Sequence, residues 1–210
     1  MCLGFYFFFG VFLIGHNGLT EDSEREGSGR RSVHANSSQA VFVEPSLVVA
    51  LTGSPGVGKT TIATLAANAG WTVTTVAELA EAHGMISEID HDGAQSIDIE
   101  GLASAVELDE SMLIDGHLSH LLPVDASVVI RCSPSVLTAR LQSRDYPTWK
   151  IESNVEWEMV GGPWGDKPNG RTAEFDATDI SPDALWMNIE AWLLTGAPNR
   201  LPQIDWLSSS

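Results

Sequence analysis

The chain has 210 residues, of which 28 are acidic and 11 basic, so its formal net charge at pH 7 is −17. This length suits one domain with a sizeable core. The charge excludes a broad basic face, so direct DNA binding and attraction to an anionic membrane are disfavoured. A chain this acidic with only three lysines, Lys59, Lys150 and Lys167, is expected of a protein that works in high salt. Two cysteines, Cys2 and Cys132, provide neither a disulfide framework nor a metal site, which favours a reducing cytoplasmic interior.

The first 45 residues differ in composition from the rest of the chain. Residues 3–14 are strongly apolar but too short to span a bilayer comfortably, and they lack the charged leader and cleavage site of a secretory signal. Residues 20–40 are polar, charged and rich in serine and glycine. We therefore interpret 1–45 as a disordered or non-native extension, with a membrane anchor or a partner-binding segment as alternatives.

From residue 46 onward, short apolar runs alternate with helical periods. This alternation predicts a three-layer α/β domain over 46–210 with a mostly parallel five-stranded sheet. The section 84–98 is polar and is predicted to be a loop. The predicted strands are 47–53, 71–76, 111–115, 127–132 and 173–178, and the predicted helices are 59–69, 77–83, 99–106, 135–144, 148–159 and 181–194.

A phosphate-binding loop is predicted between the first strand and the first helix. Residues 53–60, GSPGVGKT, satisfy the eight-residue P-loop pattern in the strand-to-helix context that it requires. Curled backbone N–H groups cradle the phosphates, Lys59 reaches the β and γ phosphates, and the Thr60 hydroxyl ligates Mg²⁺. The alternative is a glycine-rich turn with a solvated lysine. The predicted nucleotide-binding residues are Gly53, Gly56, Val57, Gly58, Lys59, Thr60 and Thr61.

Asp115 and two histidines follow another predicted buried strand. An acidic residue at this strand end can hold Mg²⁺ through water, or it can act as a simple cap. His117 either orients a water or an acceptor near the γ phosphate or makes a structural hydrogen bond. His120 lies three residues further on, and with no other ligands nearby a zinc site is disfavoured. The sequence has no Asn-Lys-x-Asp run, which argues against a GTPase.

Positive charge is concentrated in one section of the chain. Four of the eight basic residues after position 45 fall within twenty residues: Arg131, Arg140, Arg144 and Lys150. Such a cluster suits a lid that closes arginine over a triphosphate, and the alternative is a helix surface with salt bridges. We favour the lid role for Arg144. No lysine or arginine occurs between Lys59 and Arg131.

From about residue 47 to about 192 the chain resembles the adenylate kinases of the isoenzyme six type. The resemblance is carried by LTGSPGVGKTTIA, by IDGHLSHLLPVDASVVIRCSP at 114–134, by LTARLQSRDYPTWKIESNVEWE at 137–158 and by EFDATDISPDAL. It implies a P-loop NTPase fold of nucleoside monophosphate kinase type. It also implies the reaction ATP plus AMP giving two ADP with Mg²⁺, and an ATPase activity associated with rRNA maturation in the small ribosomal subunit.

The resemblance also assigns roles to residues of this sequence. Lys59, His117 and Arg144 would be catalytic, Arg144 would also contact ATP, and Thr60 and Asp115 would hold the metal. The monophosphate-binding segment would be about 75–97 and the lid about 143–153. The implied partners are ATP, AMP and a small-subunit ribosomal protein. The expected location is the cytoplasm, and the composition suggests that the source is a halophilic archaeon. An ATP-switched ribosome assembly factor, in which AMP phosphorylation is incidental, is the second hypothesis.

Overall fold

The computed structural model describes residues 47–89, 95–108 and 111–208, so the expectation for 1–45 lies outside the described residues. A short 3-10 helix, Ser119–Leu121, connects two of the strands. The strands are β1 (Val48–Thr52), β2 (Val73–Thr75), β3 (Ile86–Ile89), β4 (Gln95–Ile97), β5 (Met112–Asp115), β6 (Ala126–Arg131) and β7 (Arg171–Asp176). The helices are α1 (Lys59–Asn68), α2 (Val76–Ala82), α3 (Ile99–Ala105), α4 (Pro134–Gln142), α5 (Thr148–Met159), α6 (Gly162–Gly165) and α7 (Pro182–Leu194).

Five strands form the central sheet in the order β2-β5-β1-β6-β7, with every neighbouring pair parallel. The predicted parallel five-stranded sheet is therefore confirmed. Leu51 of β1 is in register with Asp115 of β5, and Thr52 is in register with Val129 of β6. Because parallel strands end at the same edge, the loop after β1 and the end of β5 come together there.

Helices cover both faces of this sheet, as a three-layer domain requires. Val49 and Leu51 of β1 belong to a core that includes residues of α1, α4, α5 and α7. Val48 and Ala50 point to the opposite face and pack with residues of α2 and α3. The alternation of side chains along a strand thus divides β1 between two cores, which explains why it is apolar at successive positions.

The prediction of a loop over 84–98 was wrong. The segment contains β3 and β4, which pair as an antiparallel ribbon with Ile86 opposite Ile97. Both isoleucines pack against the core on the α2 and α3 side of the sheet. This apolar anchor accounts for the ribbon, although its strands are too short and too polar for a clear strand pattern.

Helix α5 begins inside the predicted lid, and the residues on either side of it explain where it begins and ends. Pro147 precedes the first turn of α5, where its missing N–H costs nothing, and Gly161 follows the end in a left-handed conformation. The structure agrees with the predicted helix 148–159 at both ends. Across the described ranges, no helix combines the length and apolarity needed to cross a bilayer.

Candidate functional site

In the loop between β1 and α1, two glycines have backbone conformations that residues with side chains rarely adopt. Gly53 has φ 137° and Gly58 has φ 115°, a region that other residues rarely adopt. A Cβ atom on Gly53 would lie 2.3 Å from the carbonyl oxygen of Ile130 in β6, whereas one on Gly58 would meet nothing within 4 Å. The loop therefore curls tightly against the sheet at its start and is open where α1 begins.

Lys59 is the first residue of α1, and its ammonium group lies over the loop. Its Nζ donates hydrogen bonds to the carbonyl oxygens of Gly53, at 2.8 Å, and Ser54, at 3.0 Å. Burial lowers the pKa of Lys59 to about 8, although the negative charges of Asp115 and Glu158 oppose that shift. A lysine held among carbonyls at a helix N-terminus is suited to bind phosphate oxygens.

Thr60 and Asp115 bring two oxygen ligands together beside Lys59. The Thr60 Oγ1 atom donates to Asp115 Oδ2 at 3.1 Å, joining α1 to the end of β5. Burial raises the pKa of Asp115, while Lys59 and the Thr60 hydrogen bond lower it. A hydroxyl and a carboxylate are hard oxygen donors of the kind that Mg²⁺ takes alongside substrate phosphates and water, so these residues fit that ion.

The two predicted histidines are linked through Thr52, the last residue of β1. Thr52 Oγ1 lies 2.9 Å from the carbonyl oxygen of His117 and 2.8 Å from His120 Nδ1. The single hydroxyl proton goes to the carbonyl, so His120 Nδ1 must be the donor to Thr52. His120 therefore has a structural hydrogen bond, and its Nε2 lies 3.6 Å from Asp166.

The His117 side chain has a different environment. Burial lowers its pKa, and the positive charge of Lys59 lowers it further. A neutral imidazole at this edge of the sheet can accept a hydrogen bond, so both roles predicted for His117 stay open. Across the described ranges, no group of three or more histidine, cysteine, aspartate or glutamate residues is arranged to hold a metal ion.

Arg131, one of the four clustered cations, does not belong to a lid. It ends β6, its side chain is only 1% exposed, and its guanidinium pairs with Glu158 and Glu174. Inclusion of Arg131 in the lid cluster was therefore wrong. The physical reason is its position on a strand that is buried on both faces, where a cation needs internal partners.

The other three clustered cations lie in different surroundings. Arg140 donates to the carbonyl oxygens of Val57 and Ala177, each at 2.9 Å, so it supports the phosphate loop from behind. Lys150 Nζ lies 5.6 Å from the centre of the Tyr146 ring. Arg144 is exposed in the turn after α4, yet its charge contributes to lowering the pKa of Lys59. It is therefore accessible to solvent and close enough to the loop for its charge to act on Lys59.

Two residues of the site were missed by the sequence analysis. Ser54 in the phosphate loop donates through Oγ to Glu158 Oε2 at 2.5 Å, and both residues are buried. The signal for Glu158 was its helical spacing of seven from Ile151 and three from Val155, which places a carboxylate on the inward face of α5. An acidic residue on such a face requires internal donors.

The match to known proteins agrees with this geometry. A family profile described as "AAA domain" matches residues 49–161. A solved structure of a gluconokinase from Sinorhizobium meliloti 1021 superposes with a TM-score of 0.50 at 17% identity, covering 73% of this chain and 94% of that one. At this identity the likeness concerns the fold alone.

Sequence relatives carry the resemblance further. A protein of Archaeoglobus fulgidus named "Putative adenylate kinase" is 36% identical over 168 residues, which cover 77% of this chain and 93% of that protein. A protein of Halobacterium salinarum with the same name is 35% identical over 151 residues, which cover 69% of this chain and 89% of that protein. The chain therefore belongs to the adenylate kinase-like family of P-loop NTPases.

Proposed function

We propose that this protein is a Mg²⁺-dependent adenylate kinase that transfers the γ phosphoryl group of ATP to AMP and so forms two ADP. The supporting observation is the meeting of Lys59, Thr60 and Asp115 at one edge of the sheet, with Thr60 and Asp115 joined by a 3.1 Å hydrogen bond. The names of the curated relatives support a kinase of this class and adenylate as the acceptor.

The chain's own residues contribute mainly positioning and charge. Lys59 and the backbone N–H groups of the loop hold the β and γ phosphates, and the exposed Arg144 swings over them. Thr60 and Asp115 would hold Mg²⁺, which neutralises phosphate charge when it is bound. His117 orients the acceptor or supports the strand end. No covalent intermediate is needed, because both nucleotides are bound in line for direct transfer.

A second function has support from one gap in the sequence. No lysine or arginine lies between Lys59 and Arg131, so the proposed monophosphate segment, 75–97, has no cation for the phosphate of AMP. In this alternative, ATP hydrolysis switches affinity for a small-subunit ribosomal protein during rRNA maturation, and AMP phosphorylation is incidental. The net charge of −17 favours a basic protein as that partner.

We also propose that 46–210 is the kinase domain and that about 143–153 is its lid.

We further propose a cytoplasmic setting in a halophilic archaeon. The support for this setting is the acidic, lysine-poor composition. Thermal unfolding measured against salt concentration tests the setting. We expect the midpoint to rise in molar salt, and a midpoint that salt leaves unchanged would contradict halophilic adaptation.

ADP formation measured with ATP alone, with AMP and with other monophosphates separates the two functions. A kinase forms two ADP for each ATP consumed, only when AMP and Mg²⁺ are present. A switch releases inorganic phosphate without AMP. The variant Lys59→Met should abolish phosphoryl transfer, and near wild-type turnover in this variant would contradict the assignment of the site. If the wild-type protein shows neither activity, both proposals fail.

A further inference from the structure

A buried ionic network lies directly behind the phosphate loop. Arg131 Nε donates to Glu158 Oε1 at 2.6 Å, and Arg131 Nη1 donates to Glu174 Oε2 at 3.3 Å. The side chains of the three residues are 1%, 0% and 5% exposed, respectively. Two buried carboxylates therefore share one guanidinium.

Glu158 is the member of this network that reaches the loop. Its Oε1 atom also accepts from the backbone N–H of Cys132 and from Trp206 Nε1, both at 3.2 Å. Its Oε2 atom accepts from the Ser54 hydroxyl at 2.5 Å. The donors on Oε1 come from Arg131 at the end of β6, from the residue after it and from the C-terminal segment, so the carboxylate is held in place independently of Ser54.

Ser54 connects this carboxylate to the lysine of the site. Its hydroxyl contacts Glu158, while its carbonyl oxygen accepts from Lys59 Nζ at 3.0 Å. The hydroxyl is therefore an anchor for a peptide unit that forms part of the phosphate cradle. Without Glu158, the buried hydroxyl would lose the acceptor that holds it.

Stability alone does not account for the network. A buried ion pair usually stabilises a fold no better than apolar residues of the same volume, and an extra buried carboxylate adds a desolvation cost. Glu174 contacts Arg131, Trp164 and the backbone near residue 204, all away from the loop. Glu158 is thus the carboxylate whose contacts extend to the nucleotide site.

We propose that Glu158 is a positioning residue for ATP, which fixes Ser54 and the phosphate loop against the carboxyl end of α5. Helix α5 begins at Thr148, inside the proposed lid, so it joins the lid to the loop over about 15 Å. The inference rests on the proposed binding of ATP by this loop, but it does not depend on AMP as the acceptor.

A double-mutant cycle tests the inference through the Kd of MgATP, measured by calorimetry. We expect Ser54→Ala and Glu158→Gln each to weaken binding roughly tenfold. The double variant should also be weakened only about tenfold, because both changes remove the same bond, which the Ser54 hydroxyl donates to a charged carboxylate. Glu174→Gln is the matched control, because it removes the other negative charge that pairs with Arg131. We expect it to lower the unfolding temperature and to leave the Kd of MgATP within about twofold of the wild-type value.

Three results would overturn the inference. If the two single effects multiply to about a hundredfold in the double variant, the residues act independently. If Glu174→Gln weakens MgATP binding as much as Glu158→Gln does, the effect comes from a general disturbance of the network and not from the contact between Glu158 and Ser54. Should Glu158→Gln fail to fold, Ser54→Ala still decides, since an unchanged Kd contradicts the anchor. A wild-type protein that binds MgATP without phosphorylating AMP would refute the proposed kinase activity but not this inference.

Discussion

Alanine in place of Gly53 tests how tightly the phosphate loop is fitted to the sheet. The new Cβ would lie 2.3 Å from the carbonyl oxygen of Ile130, far inside the contact distance of about 3.5 Å for non-bonded atoms. Ile130 belongs to β6, which is paired with β1 on one side and β7 on the other. Its carbonyl therefore cannot move without disturbing the sheet. Gly53→Ala must combine backbone strain at φ 137° with this clash.

Gly58→Ala is the matched control, because it imposes similar backbone strain at φ 115° in open space. Such strain costs about 1–3 kcal/mol in either variant. The clash adds a further ~1–3 kcal/mol for Gly53→Ala alone. A difference of about 2 kcal/mol corresponds to an unfolding temperature about 4–8 °C lower for a domain of this size.

Thermal unfolding followed by circular dichroism, at one salt concentration and without nucleotide, measures the difference. We expect Gly53→Ala to unfold at the lower temperature of the two. Equal destabilisation by the two variants would show that the loop does not press against β6 as described. A larger effect of Gly58→Ala would refute the assignment of the clash to Gly53.

Four further predictions concern charged residues at the site and behind it. The pKa of Lys59 is about 8, and only its protonated ammonium binds phosphate. We therefore expect kcat/KM for ATP to fall about tenfold per pH unit above pH 8. An unchanged kcat/KM at pH 9 would contradict this prediction. Asp115→Asn should raise the Mg²⁺ concentration for half-maximal ADP formation at least about tenfold, and an unchanged requirement would remove Asp115 from the metal site. Arg144→Ala should lower kcat about a hundredfold or more without changing the unfolding temperature. Arg140→Ala should instead lower the unfolding temperature by several degrees, because it leaves the carbonyl oxygens of Val57 and Ala177 without their donor. If Arg140→Ala lowered kcat and Arg144→Ala lowered the unfolding temperature, the two arginines would have the opposite roles.

The parts of the fold that follow from local sequence were predictable. Pro147 and Gly161 fix the ends of α5, and the apolar run before the phosphate loop suits a buried strand. The ribbon of β3 and β4 was missed because its pairing depends on Ile86 meeting Ile97 across the intervening chain. An Asp-Gly pair at 92–93 was the available hairpin signal.

The site divides in the same way. The glycine-lysine pattern predicted a curled loop that begins α1, and the sequence analysis assigned Thr60 and Asp115 to one metal site. The structure brings these two side chains into contact. Arg131 was misassigned because its partner Glu158 lies 27 positions away on another element. The contact between Ser54 and Glu158 joins positions 104 apart, and no periodicity or motif in one sequence encodes such a distance.

The two carbonyl contacts of Lys59 mean that an anion must compete with oxygens of the protein for the lysine ammonium. An anion that enters must draw the ammonium away from the oxygens of Gly53 and Ser54, so it competes with acceptors already 2.8 and 3.0 Å from Nζ. Sulfate or inorganic phosphate offers the oxygens of one group in return, whereas a nucleoside triphosphate offers oxygens on adjacent phosphates. If the loop binds ATP as proposed, the longer phosphate chain supplies more acceptors to replace those that Lys59 gives up.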